Sequence, residues 1–433
     1  MKKIKKISLS AFTLLFLSGL ILLTNACVKQ EASKVEPPNS ANPSLTDSSD
    51  AEVTTAQKLI AQSPDAAKGY NLLAARYIRL ARETGDFSIN SNAEAAVNRA
   101  LEVEPENFDA KRMKGSLLLT FHRFAEALEY GTKLHEENPQ DAVVYGILTD
   151  ANVELGNYQA AAEAVQKMVD VRPNMESYAR VAAVRSLYGD SDGAIEALSL
   201  AARIADPKNR EAQAWCLTHL GDEYFKVGKF AEAEKQYDSA LQVFPNYHFG
   251  LAGKGRARAA AGDLENAVKF YTEAQTRVPA TLTIISLGDI YAKTGNVEKA
   301  KEQYDLAVFI EQKLGNIDQR TLALLWADQN VKLDEALAVA EKEHNTRKDV
   351  YTADIYAWCL YKKGNFEEAK KISREAMRLK TKNALFFYHA GMIEKSLGDR
   401  KAAKDLLQKA LQLNPSFDTL QAEQAQTALA ELK

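Results

Sequence analysis

Cysteine is scarce: the 433 residues hold three, Cys27, Cys216 and Cys359, too few for a disulfide scaffold. Cys216 and Cys359 lie four repeat periods apart, so they are expected to be buried free thiols rather than a bridge. The six histidines (122, 135, 219, 248, 344 and 389) are scattered, with no HExxH and no cysteine pair, so no metal site is expected. "HEEN" at His135 comes closest and lacks the second histidine. An excess of positive charge is missing too. The net charge is −3, and without the four lysines of residues 1–26 there are 51 basic against 58 acidic residues, net −7. A general nucleic-acid-binding surface is therefore not expected.

Catalytic motifs are equally thin. Gly189-Asp190-Ser191-Asp192-Gly193 spells G-x-S-x-G, but a nucleophile elbow needs a strand before the serine. Here the pattern predicts a helix before it, so the run is a turn. As a calcium loop it lacks the further acidic ligands and the terminal glutamate. Gly221 to Lys229 has six residues between its glycines and Phe230 where a phosphate loop needs Ser or Thr. No enzyme, catalytic residue or cofactor is expected.

Long apolar runs are confined to the N-terminus. Lys2, Lys3, Lys5 and Lys6 precede an apolar stretch from about Leu9 to Leu23, which marks residues 1–26 as an export signal. "LTNAC" places small residues before Cys27 in the manner of a bacterial lipoprotein cleavage site, although Thr24 stands where leucine is usual. Lipidation of Cys27 is the expectation. Simple cleavage after Ala26 or an uncleaved anchor are the alternatives. Residues 27–50 carry three prolines and few large apolar residues, so they cannot build a core and suit a tether. Extended, such a segment spans about 75 Å.

What is abundant is alanine in register. Ala93, Ala127, Ala161, Ala194, Ala233, Ala267, Ala300, Ala336, Ala369 and Ala403 follow one another at 34, 34, 33, 39, 34, 33, 36, 33 and 34 residues. A glycine precedes eight of them (85, 156, 189, 228, 262, 295, 364 and 398), and eight of the 11 prolines fall at repeat ends or just before the first. Within Ala214 to Tyr247 the apolar residues recur at helical spacing, Gly228 stops one helix and Pro245 the next. Asp or Asn after the glycine suits an N-cap, and Asn365 with Glu368 reads as a capping box. A two-helix unit cannot bury its own stripes, so the copies must stack.

Small residues at positions 8 and 20, an aromatic or leucine at 11, glycine at 15, alanine at 27 and proline at 32 resemble the tetratricopeptide repeat over about residues 64–417. The fold class expected is all-α, an α-solenoid of about ten helix-turn-helix units. Residues 51–417 form the solenoid with a first capping helix at 51–62, and 418–433 form a closing helix. Departures fall at the long turn Gly85 to Ala93, at the lengthened junction between repeats four and five, and in repeat eight (residues 317–350), which has neither the glycine nor the proline.

The resemblance implies that positions 2, 5, 9, 12 and 13 of each unit face a concave groove. They give Trp215, Asp222, Phe225 and Lys226, then Phe249 and Arg256, then Asp289 and Lys293, then Tyr351, Asp354, Trp358, Tyr361 and Lys362, and finally Tyr388 and Lys395. Aromatics mixed with both charge signs suit a protein or peptide segment. The Lys and Asn pair with which some members hold a peptide carboxylate is absent, as Arg112 with Ser116 and Thr218 with Asp222 illustrate. Two readings follow. One is a non-catalytic scaffold or adaptor lipoprotein of a bacterial envelope, facing the periplasm or cell surface, with the outer membrane favoured by Val28 after the cysteine. The other is a glycan-binding lipoprotein that stacks Trp215, Phe249, Trp358 and Tyr361 on sugar rings.

Overall fold

The computed structural model describes residues 50–313 and 319–432. The export signal, Cys27 and residues 27–49 of the tether lie outside the described residues, as does the start of repeat eight. The described residues form 22 α-helices and no strands. A capping helix α1 (Ala51–Gln62) is followed by the pairs α2 (Ala67–Thr84) with α3 (Asn90–Val103), α4 (Phe108–Thr120) with α5 (Phe124–Glu137), and α6 (Ala142–Glu154) with α7 (Tyr158–Val171). Next come α8 (Met175–Leu187) with α9 (Ser191–Ile204), α10 (Arg210–Lys226) with α11 (Phe230–Val243), and α12 (His248–Ala260) with α13 (Leu264–Arg277). Then follow α14 (Thr281–Lys293) with α15 (Val297–Lys313), α16 (Arg320–Asp328) with α17 (Leu333–Thr346), α18 (Val350–Lys362) with α19 (Phe366–Ala376), and α20 (Ala384–Ser396) with α21 (Arg400–Leu413). The last helix is α22 (Gln421–Glu431).

Each pair closes on small residues. The recurring alanines are all buried, eight of them with no exposed surface, because two helices crossing this closely leave room for a methyl group only. In repeats five, six and seven a glycine at position 8 does the same for a tyrosine. A Cβ on Gly221, Gly255 or Gly288 would lie 2.5, 2.9 or 2.7 Å from the rings of Tyr237, Tyr271 and Tyr304. The 3₁₀ turn Phe87–Ile89 takes up the long turn of repeat one, burying Ile89. Asp50 caps α1 by accepting from the backbone of Glu52 and Val53.

Turns without glycine keep the same conformation at other residues. His122 in repeat two and Asn330 in repeat eight adopt φ 56° and 54°, with the same pair of backbone hydrogen bonds closing the turn. Lys332 is also left-handed, at φ 46°, and α16 has only 9 residues. Asp190, Asp263 and Asp399 cap the helices they precede. The box expected at Asn365 does not form: Asn365 makes no side-chain cap bond, and Glu368 pairs with Lys371 at 3.2 Å. A capping box forms instead at Asn174 and Ser177. Ser191 of the G-x-S-x-G run is the buried first residue of α9, behind a turn with Gly189 at φ 75°. Its hydroxyl is not presented. Cys216 and Cys359 are free and buried, and burial pushes both thiols up to about 12.

The stack does more than curve. It winds until later repeats rest on earlier ones, at sequence separations of 189–194 residues, about five and a half repeats. Arg347, 4% exposed, donates from Nε to Glu154 at 3.0 Å and lies 4.8 Å over the Phe124 ring. The Val350 amide donates to the Tyr158 hydroxyl at 2.8 Å, and Thr381 Oγ1 donates to the Leu187 carbonyl. Tyr158, Leu187, Val350 and Phe386 form a shared apolar cluster beneath this seam of bonds.

Candidate functional site

The tyrosines admitted by the position-8 glycines reach through to position 9, which the resemblance assigns to the concave face. The Tyr237 hydroxyl donates to Asp222 at 2.9 Å and the Tyr304 hydroxyl to Asp289 at 2.7 Å. Two aspartates thus share a position and a partner, yet their electrostatics are opposite. Burial pushes the Asp222 carboxyl up, but Arg256 and His219 beside it outweigh burial and hold it below the usual range. Arg256 pairs with Asp222 and lies 4.7 Å over the Phe225 ring. Asp289 has no such cation, since the next repeat carries Leu325 at position 9. Burial, and then the charge of Asp418, push it up to about 8, although the bond from Tyr304 works the other way.

Asp418 comes from the far end of the chain. The turn between α21 and α22 enters the concave face of repeats five to eight and leaves a cleft of about 500 Å³ there, lined by Arg256, Ser286, Asp289, Lys293, Phe417 and Asp418. Several groups hold the turn. Asn414 donates to the Phe225 carbonyl at 2.8 Å, Lys293 donates to the Thr419 carbonyl at 3.1 Å and pairs with Glu423, and Gln421 donates to Asp328 at 2.7 Å. The Asp418 carboxylate accepts from the Leu420 and Gln421 amides at 2.8 and 2.7 Å, which starts α22 there rather than at residue 418. Asp328 also accepts from Trp358 Nε1 at 2.7 Å. Burial first, with Asp418 adding to it, pushes Asp328 up to about 7 against the opposing charges of His389 and Lys362.

The groove residues expected from the sequence fall into separate settings. Phe225, Arg256, Asp289 and Lys293 gather on the cleft just described, and Asp222 pairs with Arg256 beside it. Phe225 is buried there rather than offered to a ligand. Trp358, Asp354 and Tyr388 are interior residues, at 2%, 2% and 0% exposure. Trp358 stacks on Tyr361 and His389, with centroids 4.7 and 4.1 Å away. Asp354 pairs with His389 at 2.9 Å, and the Tyr388 hydroxyl donates to Gln424 of the closing helix at 2.9 Å. Lys395 pairs with Glu431 of that helix. Lys362 sits 5.2 Å over Trp358 and burial lowers its ammonium. Lys226 donates to Ser186 at 2.9 Å and pairs with Glu223, and Tyr351 packs on Phe386 with centroids 5.4 Å apart. Trp215 is half-buried against His219, while Phe249 is 40% exposed beside His248.

Two features escaped the sequence reading. Asp328 stands at position 12 of repeat eight, and counting back from Ala336 would have found it. The second is a groove of about 550 Å³ on α2, α4 and the start of α6, lined by Lys68, Leu72, Ile78, Arg112, Met113 and Val143. Leu72 and Val143 are 46% and 39% exposed there. In the sequence its residues Asn71 with Ala75 and Arg112 with Ser116 stand only as pairs that fail to match a carboxylate clamp.

Two family models, both described as tetratricopeptide repeat, match this chain. One covers residues 78–142 and 219–280, the other 283–314, 355–383 and 384–417, together about half of the chain. Among curated proteins, a TPR repeat-containing protein of Methanocaldococcus jannaschii is 22% identical over 74% of this chain and 60% of its own length. The TPR repeat-containing protein YpiA of Bacillus subtilis is 22% identical over 75% of this chain and 68% of its own. The chain thus spans about three fifths to two thirds of these relatives. Among solved structures, a thermophilic TPR protein of Thermus thermophilus aligns over 48% of this chain and 98% of its own, at 22% identity and TM-score 0.37. Yeast Tom70 aligns over 84% and 96%, at 15% identity and TM-score 0.33.

Proposed function

The chain belongs to the tetratricopeptide repeat family, and on that premise we propose that it is a non-catalytic scaffold or adaptor that binds a segment of another protein on its concave face. The observation that carries this reading is the groove of repeats one to three. Leu72 and Val143 stand exposed in it next to Met113, and Lys68 and Arg112 flank them. An apolar strip rimmed by charge matches a peptide with spaced apolar anchors. Sugar stacking has less support, because Trp358 has its ring stacked on Tyr361 and His389 inside the protein.

The N-terminal sequence supports a bacterial envelope lipoprotein held by Cys27, with the repeats displayed on residues 27–50 as a tether. Crosslinking of intact cells followed by purification from membranes tests the reading. One or a few stoichiometric proteins should be recovered, and Leu72→Asp with Val143→Asp should lose them. Recovery unchanged by both substitutions would overturn the groove assignment. Cys27→Ser should abolish palmitate labelling and release the protein from membranes; full retention would count against the anchor.

A further inference from the structure

We propose that the concave face of repeats five to eight is a second recognition surface, fitted to a short turn-plus-helix segment with an aromatic residue, a helix-capping residue and an acid one turn later, and that Asn414–Glu423 is its resident occupant in cis. This deepens the scaffold reading above, because it names a partner chemistry and makes its access depend on release of the chain's own turn. The contacts describe the motif. Phe417 lines the cleft beside Phe225 and Arg256, the Asp418 carboxylate accepts from the Leu420 and Gln421 amides where α22 begins, and Glu423 pairs with Lys293. Gln421 lies between them on Asp328. The groove side of these contacts comes from positions 9, 12 and 13 of the repeats, Arg256, Asp328 and Lys293, which the family resemblance assigns to ligands.

The fit of the resident segment is imperfect, which is what makes it exchangeable. The cleft of about 500 Å³ persists between the turn and repeats five to seven. Among the described residues, Gln421, 6% exposed, has no hydrogen-bond partner for its Oε1, and Arg256 Nε has none either. Asp418 adds a third carboxylate to a face that already holds Asp289 and Asp328. A partner with asparagine at the capping place would keep the cap and remove the like-charge repulsion. The apolar side of α22 stays in place during exchange, since Ala425, Ala428 and Leu432 are part of the core of repeats eight to ten. The exchange is confined to the turn and the first turn of the helix.

The test uses the full chain and a fluorescent synthetic peptide of residues 413–424, the turn and the first turn of the helix, with binding read by anisotropy. Glu423→Lys sets a like charge against Lys293 and frees the groove. It should bind the peptide at least tenfold tighter than the unaltered chain. Adding Lys293→Glu restores the cis pair with reversed charges and should return binding to the starting level. A peptide with Asp418→Asn should bind several-fold tighter than the native one. Equal binding by the unaltered chain and Glu423→Lys, with unchanged circular dichroism, would overturn the proposal, as would a double variant that binds as tightly as the single. Amide exchange at residues 415–423 of the unaltered chain should rise when peptide is added; unchanged protection at saturating peptide would also overturn it. If membrane partners are recovered equally by the unaltered chain and Glu423→Lys, the gate fails and the scaffold stands. If the peptide behaves as stated and no membrane partner is found, only the scaffold reading fails.

Discussion

The turns of repeats three, four and five and those of repeats six, seven, nine and ten have the same backbone and opposite surroundings. In all of them a glycine sits at φ 75° to 83°. A Cβ on Gly156 or Gly189 would lie 2.5 Å from the carbonyl oxygen of Lys348 or Lys380, and one on Gly228 would lie 3.1 Å from that of Leu413. Around Gly262, Gly295, Gly364 and Gly398 no atom of the described residues beyond the turn itself would lie within 4 Å of such a Cβ. Repeats three to five are therefore held by two requirements, the left-handed turn and the winding of later repeats onto it. The others carry only the first. Identical local code bears different loads, and the load is set by where a repeat falls in the superhelix.

Substitutions can break this contrast, and their effects should descend in order. Arg347→Ala should cost the most, about 3–5 kcal/mol, because it strands a Glu154 carboxylate inside the seam. Thermal or urea unfolding measures the loss. An effect below about 1 kcal/mol would mean that the seam is not formed in solution. Gly156→Ala should come next, at about 2–4 kcal/mol, from the left-handed backbone and the clash with Lys348 together. Gly295→Ala meets only the backbone penalty and should cost about 1–2 kcal/mol. Equal costs for the two glycines would remove the distinction.

A pH dependence sharpens a second contrast, between Asp222 and Asp289. Both face a tyrosine, Tyr237 and Tyr304, but Asp222 also faces Arg256 and His219, whereas Asp289 faces Asp418 and Asp328. Asp328 in turn faces His389, Lys362 and Asp418. Folding raises the Asp289 and Asp328 carboxyls to about 8 and about 7, so between about pH 4 and 8 the folded chain binds more protons there than the unfolded chain. Their contribution to stability therefore falls as pH rises through that range and levels off above it. Asp222, held low, acts in the opposite sense and weakens the fold only in strong acid. Tm should decline from pH 5 to 8 in the unaltered protein, and Asp289→Asn should flatten the decline. A profile identical in both proteins would show that Asp289 does not titrate as described.

Much of the fold was legible because it rests on local rules repeated ten times. Ala233 and its nine counterparts marked the helix crossings, the glycines marked the turns, and Asp190, Asp263 and Asp399 the helix starts. Where a glycine was lost, His122 and Asn330 kept the turn, since the neighbouring helices leave the chain only that path. The site was less legible. The position rule placed Asp222, Arg256, Asp289 and Lys293 on one surface, but it also named Trp358, Tyr388 and Asp354, which face neighbouring helices instead. A rule of face cannot tell a ring that meets solvent from one that meets the next repeat, because that depends on how tightly consecutive pairs are wound.

By itself, then, the order of residues determined the helices, their turns, their pairing and their stacking, all of which depend on neighbours within about one repeat. Tertiary structure alone decided which groove stays open. Arg347 meets Glu154 at a separation of 193 residues and Lys293 meets Glu423 at 130, and such meetings follow from small rotations accumulated over several repeats. No 34-residue period records that sum. The groove of repeats one to three is left exposed, while the groove of repeats five to eight receives the chain's own turn.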